Sequence, residues 1–182
     1  TMKIWQMNFE LDCYDNLEPV HNLTVDELQS FDGRQHLNNW TPLRVMRMEP
    51  EKGLELSDAP GFILPVFGRR ALDYLKPLIA PHVEVLPLSF DEGEFFAINV
   101  ITVLNAVDYQ NSVYKTFRDG KRIMSFKKYA FHESIVAGVP IFKISDERVR
   151  YAFVSDEFKQ IVEQNKLTGF VFRLVWESDM AR

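Results

Sequence analysis

Between residues 149 and 177 the hydrophobic period switches from two to 3.6 and back to two, and no other stretch restricts the fold as tightly. Residues 149–154 read as a strand. Ser155 then offers an N-cap hydroxyl, and Asp156 and Glu157 complement the positive end of a helix dipole. Phe158, Ile161 and Val162 fall at i, i+3, i+4, the single apolar stripe of a helix ending near Asn165. After Leu167-Thr168-Gly169, Phe170, Phe172, Leu174 and Trp176 alternate with Val171, Arg173 and Val175. The fifteen residues 155–169 are enough for a crossover between parallel strands, right-handed if both strands share a sheet.

The rest of the chain reads as short strands with few helices. Trp5, Met7 and Phe9 sit at period two in residues 3–9, as in a strand with one buried face. Residues 10–22 lose periodicity and read as a loop. Thr24 and Glu27 form a capping box that starts one or two turns of helix ending near Phe31. Pro42, Pro50, Pro60, Gly53 and Gly61 break residues 34–62 into short strands and turns. Residues 66–75 suggest a helix with Phe67, Ala71, Leu72 and Leu75 on one side, ended by Pro77 and Pro81. Residues 95–104 form the longest β-rich run, apolar on both faces. Asp119-Gly120 suits a type I′ turn pairing 113–118 with 121–126. Strands at 139–144 and 149–154 are joined by a polar turn. The expectation is a single α+β domain over residues 2–182. It holds a mixed, mostly antiparallel sheet, a few short helices and a C-terminal β-α-β unit.

Length and composition agree with that expectation. At 182 residues and 46% apolar, with fifteen Phe, the chain can bury one core without disulfides. Its one cysteine, Cys13, and the lack of a signal peptide point to a reducing cytoplasm, and Thr1 ahead of Met2 reads as an addition to the natural start. No run of about eighteen apolar residues exists to span a membrane.

Charge is unevenly spread. Residues 10–32 carry seven acids and no Lys or Arg, whereas residues 113–128 carry six bases against Asp119 alone. The net charge of −5 argues against non-specific nucleic-acid binding. The acidic stretch reads either as a solubilising surface or as a face complementary to a basic protein.

Catalytic and cofactor motifs are weak. His21, His36, His82 and His132 lack metal-ligand spacing, and Cys13 has no neighbouring base to activate it. Asp12, Asp15 and Glu18 lie three apart and would cluster on a helix, but their segment does not read as one. Neither a phosphate-binding loop nor a dinucleotide fingerprint occurs, so no cofactor or metal is expected. The basic hairpin interleaves Tyr114, Phe117, Phe126 and Tyr129 with Lys and Arg. That pattern suits either single-stranded nucleic acid or a lysine-protected sheet edge, and the acidity of the whole favours the edge.

A series of short motifs runs through most of the chain. They are Trp40-Thr41-Pro42-Leu43, Ser57-Asp58, Pro65-Val66-Phe67 with Arg70-Ala71 and Leu75, and Leu86-Pro87-Leu88. Asn99-Val100, Asp108 with Ser112, Ile141-Phe142-Lys143, Ser155-Asp156-Glu157-Phe158 and Thr168-Gly169-Phe170 follow. In order and spacing the series resembles immunity-protein family eleven of bacterial polymorphic toxin systems. Asn105 stands where that pattern has an acid, and residues 10–40 show little likeness. The resemblance implies a non-catalytic protein that binds and neutralises a cognate toxin, the C-terminal domain of a larger secreted protein. The expected toxin-facing residues are Asp12, Asp15, Glu18, Asp26, Glu27 and Asp32. The alternatives are a small metal-dependent hydrolase using the same carboxylates and a nucleic-acid-binding module on hairpin 113–128.

Overall fold

A computed structural model describes residues 1–181. In chain order its strands begin with β1 (Lys3–Phe9), β2 (Leu17–Pro19), β3 (Leu43–Arg47), β4 (Val66–Gly68), β5 (Val83–Ser89) and β6 (Phe95–Val100). They continue with β7 (Val103–Leu104), β8 (Val113–Thr116), β9 (Ile123–Lys128), β10 (Ile141–Ile144), β11 (Phe153–Ser155) and β12 (Phe170–Glu177). The helices are α1 (Val25–Gln29), α2 (Arg69–Ile79), α3 (Glu133–Val136) and α4 (Asp156–Gln164). The fold is α+β, with mixed, mostly antiparallel sheets and short helices.

The first sheet runs β12-β1-β11-β10-β7. β1 is antiparallel to both β11 and β12, so those two strands are parallel to each other with β1 between them. The crossover read from the sequence is therefore present, carried by α4 between strands of one sheet. Ser155 caps that helix, its hydroxyl accepting from the Phe158 amide at 3.2 Å. Phe158 and Val162 turn inward with Met7, Phe67 and Leu75. Lying centrally, β1 is covered on both faces rather than one: Met7 joins that cluster, while Ile4 joins Phe142, Phe153 and Trp176 on the other side.

The second sheet runs β2-β3-β5-β6-β4, and β8-β9 stand apart as a hairpin. The run 95–104 does not form one strand. β6 pairs with β5 and β4 in the second sheet, whereas β7 pairs parallel with β10 in the first. Between them Ile101 donates to the His82 carbonyl (2.9 Å) and Thr102 accepts from Lys143 (2.9 Å), so this apolar run links the two sheets.

Other boundaries differ from the sequence reading as well, among them the strand read over 149–154, which starts only at Phe153. Residues 66–68 form strand β4, and α2 starts only at Arg69. Pro77 does not end α2, because Ile79, fully buried, extends the Ala71–Leu72–Leu75 stripe by another turn and holds the helix against the proline's missing N–H. The hairpin turn is not type I′, since Gly120 is at φ +67° and, among the described non-glycine residues, only Lys166 has positive φ. Instead the Asp119 carboxylate accepts from the Lys121 and Arg122 amides, and the Phe117 N–H donates to the Arg122 carbonyl, closing a wider loop. Arg118 and Lys121 thus lie in that loop, outside the ladder. The Thr24–Glu27 box forms as read, with both hydrogen bonds at 3.1 Å.

Candidate functional site

Residues 10–22 do not form a free loop. Asp15 is 1% exposed and bridges Leu56, its N–H donating to the Glu55 carbonyl. Its Oδ1 accepts from the Asn16 and Glu49 amides at 2.8 and 3.0 Å, and Arg47 Nη1 lies 3.7 Å from Oδ2. A buried carboxylate is tolerated only with such donors and an opposite charge close by. Asn16 extends the knot. Its Nδ2 donates to the Leu11 carbonyl (2.9 Å), its Oδ1 accepts from the Gly61 amide (3.1 Å), and its carbonyl accepts from Met48 (2.9 Å). Gly61 is required at this approach, since a Cβ there would stand 2.4 Å from Leu11 Cδ2 and 2.6 Å from Asn16 Oδ1.

The knot brings together three apolar side chains from separate segments: Leu11, Met48 and Ile63, which are 58%, 49% and 49% exposed. They border a groove of about 500 Å³ with buried Leu17 in its floor and Glu18 at its lip. Isolated exposed apolar residues are ordinary, but a group around one concavity marks a surface suited to contact.

The six acids read from the sequence do not form one cluster. Asp12, Asp26 and Glu27 are exposed, and Glu18 is half-buried on β2. Asp32 is held below the usual carboxylate range, chiefly by the Arg34 side chain, whose Nε and Nη2 fork onto it at 3.0 and 2.9 Å. Asp15 faces inward, so its charge anchors the fold rather than coating the surface. The six expected toxin-facing residues leave out Glu10, which is counted only as part of the acidic stretch, and the acids at 49–58. Glu10 folds over the Asp12 and Cys13 amides, which lower its pKa. In all, residues 10–63 hold eleven acids against four bases. Each of those bases is engaged by an acid: Arg34 with Asp32, Arg44 with Asp91, Arg47 with Glu92 and Lys52 with Glu49. The segment that builds the groove, residues 10–63, is therefore strongly negative.

A second constellation joins distant motif residues. Asp58 Oδ2 accepts from the Thr168 amide (2.8 Å), the Thr168 hydroxyl (3.1 Å) and Arg70 Nη1 (2.7 Å). The Thr168 Oγ1 accepts from the Asp58 amide in return (3.1 Å), and Arg70 Nη2 reaches the Asn165 carbonyl. Gly169, at φ +90°, lets the backbone pass Ser57, where a Cβ would come within 2.1 Å of Oγ. All of these donors and acceptors are used to fasten the end of α4 to the 57–59 segment, which explains the motifs as a structural tie.

The sequence profile of the Immunity protein family (Imm11) matches residues 85–177, just over half of the chain. This chain belongs to that family. No curated protein matches it. The Imm11 match runs from β5 to β12 and takes in the hairpin and the Thr168–Gly169 tie, whereas the acidic groove is built entirely from residues outside it.

Within the Imm11-matched part, the hairpin's rings are largely occupied by one another. Tyr114 meets Phe126 (5.9 Å between centroids), Phe126 stacks on Tyr129 (4.7 Å), and Tyr129 meets Phe131 (6.0 Å), leading into the core around Phe153. Arg122 lies over Phe117 at 5.0 Å. Aromatic interleaving here anchors the hairpin. Among the described residues, no three His, Cys, Asp or Glu side chains converge as metal ligands. Asp12, Asp15 and Glu18 fail to do so because Asp15 is turned onto backbone amides. His36 Nε2 pairs with the Ser30 carbonyl and His82 Nδ1 with the Thr102 hydroxyl. Cys13 is free and exposed.

Lys143 is a further group that the strand reading passed over. It is 6% exposed, and its Nζ donates to the Phe31 carbonyl at 2.7 Å. Burial pushes it down to about 8 from 10.5, with Asp32 acting in the opposite sense. A lysine in the otherwise apolar run Ile141–Ile144 was the available signal. No described helix is long and apolar enough to cross a membrane.

Proposed function

We propose that this chain neutralises a cognate bacterial toxin in the cytoplasm by binding it directly, without catalysing a reaction. Membership of the immunity protein family carries this reading. The physical support is the acidic lobe, where Asp12, Glu18, Asp26 and Glu27 reach solvent in a region with eleven acids and four acid-engaged bases. Such a field speeds encounter with a basic partner and repels acidic ones. The partner is then a basic toxin domain, the C-terminal part of a larger secreted protein. Asp15 serves this face as a frame beneath it, and Asp32 is half-engaged by Arg34.

The test is co-expression with the C-terminal domain of the toxin encoded beside this chain's gene. The chain should restore growth and co-purify with that domain. Growth restored by the chain without any complex would point to catalysis instead, and no rescue at all would end the immunity reading.

A further inference from the structure

We infer that the groove between Leu11, Met48 and Ile63 is the seat for an apolar side chain that the toxin presents within a basic surface, an assignment that rests on the immunity reading. Three observations lead there. The groove's rim is apolar and exposed, its volume of about 500 Å³ has room for one or two large side chains, and its lip carries Glu18. Buried anchors of this kind dominate the energetics of protein interfaces.

The groove is also preorganised. Asp15 and Asn16 tie Leu11, Met48, Glu49 and Gly61 together through backbone groups, so docking need not order the rim. The amide of Asn16 is engaged in this frame, its Nδ2 donating to the Leu11 carbonyl and its Oδ1 accepting from the Gly61 amide, so it is held in place beneath the rim.

Charge selects what surrounds that side chain. With eleven acids against four bases over residues 10–63, an anionic lipid surface or a nucleic acid is repelled, while Lys and Arg flanking an apolar anchor are attracted. The basic hairpin of a second copy also has the right sign. A groove-to-hairpin contact between copies is heterologous, however, and propagates into open assemblies unless the rotation happens to close. A basic toxin domain satisfies both the apolar and the charge requirement with one closed contact.

The experiment is surface plasmon resonance with the catalytically inactivated C-terminal domain of the adjacent toxin, over a range of salt concentrations. Met48→Ala and Ile63→Ala, both at half-exposed positions, should each raise koff about tenfold while thermal unfolding stays unchanged. The double variant Asp12→Lys/Glu18→Lys should lower kon about tenfold at low salt and flatten its salt dependence. The control pair Lys121→Glu/Lys127→Glu should bind as the native chain does. If the native chain binds but the groove variants dissociate at its rate, the groove assignment is wrong and toxin binding stands. If the hairpin control alone loosens the complex, the toxin sits on the basic face. A concentration-dependent dimer abolished by Ile63→Ala would give the groove to a second copy. Failure of the native chain to bind overturns the immunity reading and this inference with it.

Discussion

Replacing Asp58 with Ala should cost the fold about 3 kcal/mol, even though the residue lies away from the proposed interface. The side chain is 14% exposed, and a single oxygen accepts three hydrogen bonds. The two bonds from Thr168 are charge-assisted and closely spaced, and losing the acceptor for them removes roughly 2–3 kcal/mol. The Arg70 contact adds under about 1 kcal/mol, because that guanidinium is half exposed and screened. Thr168→Val removes only the hydroxyl's donation to Asp58 and its acceptance from the Asp58 amide, roughly 1 kcal/mol. The two substitutions share partners, so the double variant should lose less than the sum, with a coupling of about 1 kcal/mol. Urea unfolding followed by tryptophan fluorescence, at a constant m-value, measures all four corners of the cycle. An Asp58→Ala loss under about 1 kcal/mol, or strict additivity with Thr168→Val, would refute the assignment of this constellation as a tie.

Other substitutions probe the remaining buried polar groups. Gly169→Ala should destabilise by about 3 kcal/mol or more, from positive φ together with overlap on Ser57. Adding Ser57→Gly should recover only part, because the Ala59 carbonyl would still lie 2.7 Å from the new Cβ; thermal melts of the three variants decide this. Tyr129→Phe should cost about 2 kcal/mol in urea unfolding, since it strips the buried Glu147 carboxylate of a donor at 2.8 and 3.1 Å. Lys143 sets a pH signature. Its folded value of about 8 lies below 10.5, so the cost of burying its charge is present in full below pH 8, where both states are protonated. Between about 8 and 10.5 the unfolded chain holds more protons, and stability rises with pH by up to about 3 kcal/mol. Subtracting the unfolding free energies of Lys143→Met from those of the native chain at each pH should show that rise; a flat difference would contradict the buried ammonium.

What the sequence made legible was local. The Thr24–Glu27 box and the Ser155 cap with its Phe158–Val162 stripe need only neighbouring residues, and both formed as read. The crossover between β11 and β12 followed from chain length, but the insertion of β1 between them is a pairing that no local pattern encodes. Periodicity likewise could not say that 95–104 passes from one sheet to another, nor distinguish strand from helix in the short apolar run Val66–Gly68. At the candidate site the excess of acid was visible as composition. The inward turn of Asp15 was not, because the amide of Glu49 and the carbonyl of Glu55 that receive it lie more than thirty residues away in sequence. Leu11, Met48 and Ile63 meet for the same reason, through a knot in which the Asn16 side chain and backbone hydrogen-bond to the Leu11, Gly61 and Met48 backbone.

Hydrogen–deuterium exchange of the chain, free and bound to the adjacent toxin's inactivated C-terminal domain, tests most directly whether the acidic lobe is the toxin-binding face. Peptides covering residues 10–19, 47–50 and 61–63 should gain protection in the complex, while the hairpin at 113–128 exchanges as in the free chain. Protection confined to the hairpin, with the groove peptides unchanged, would contradict it.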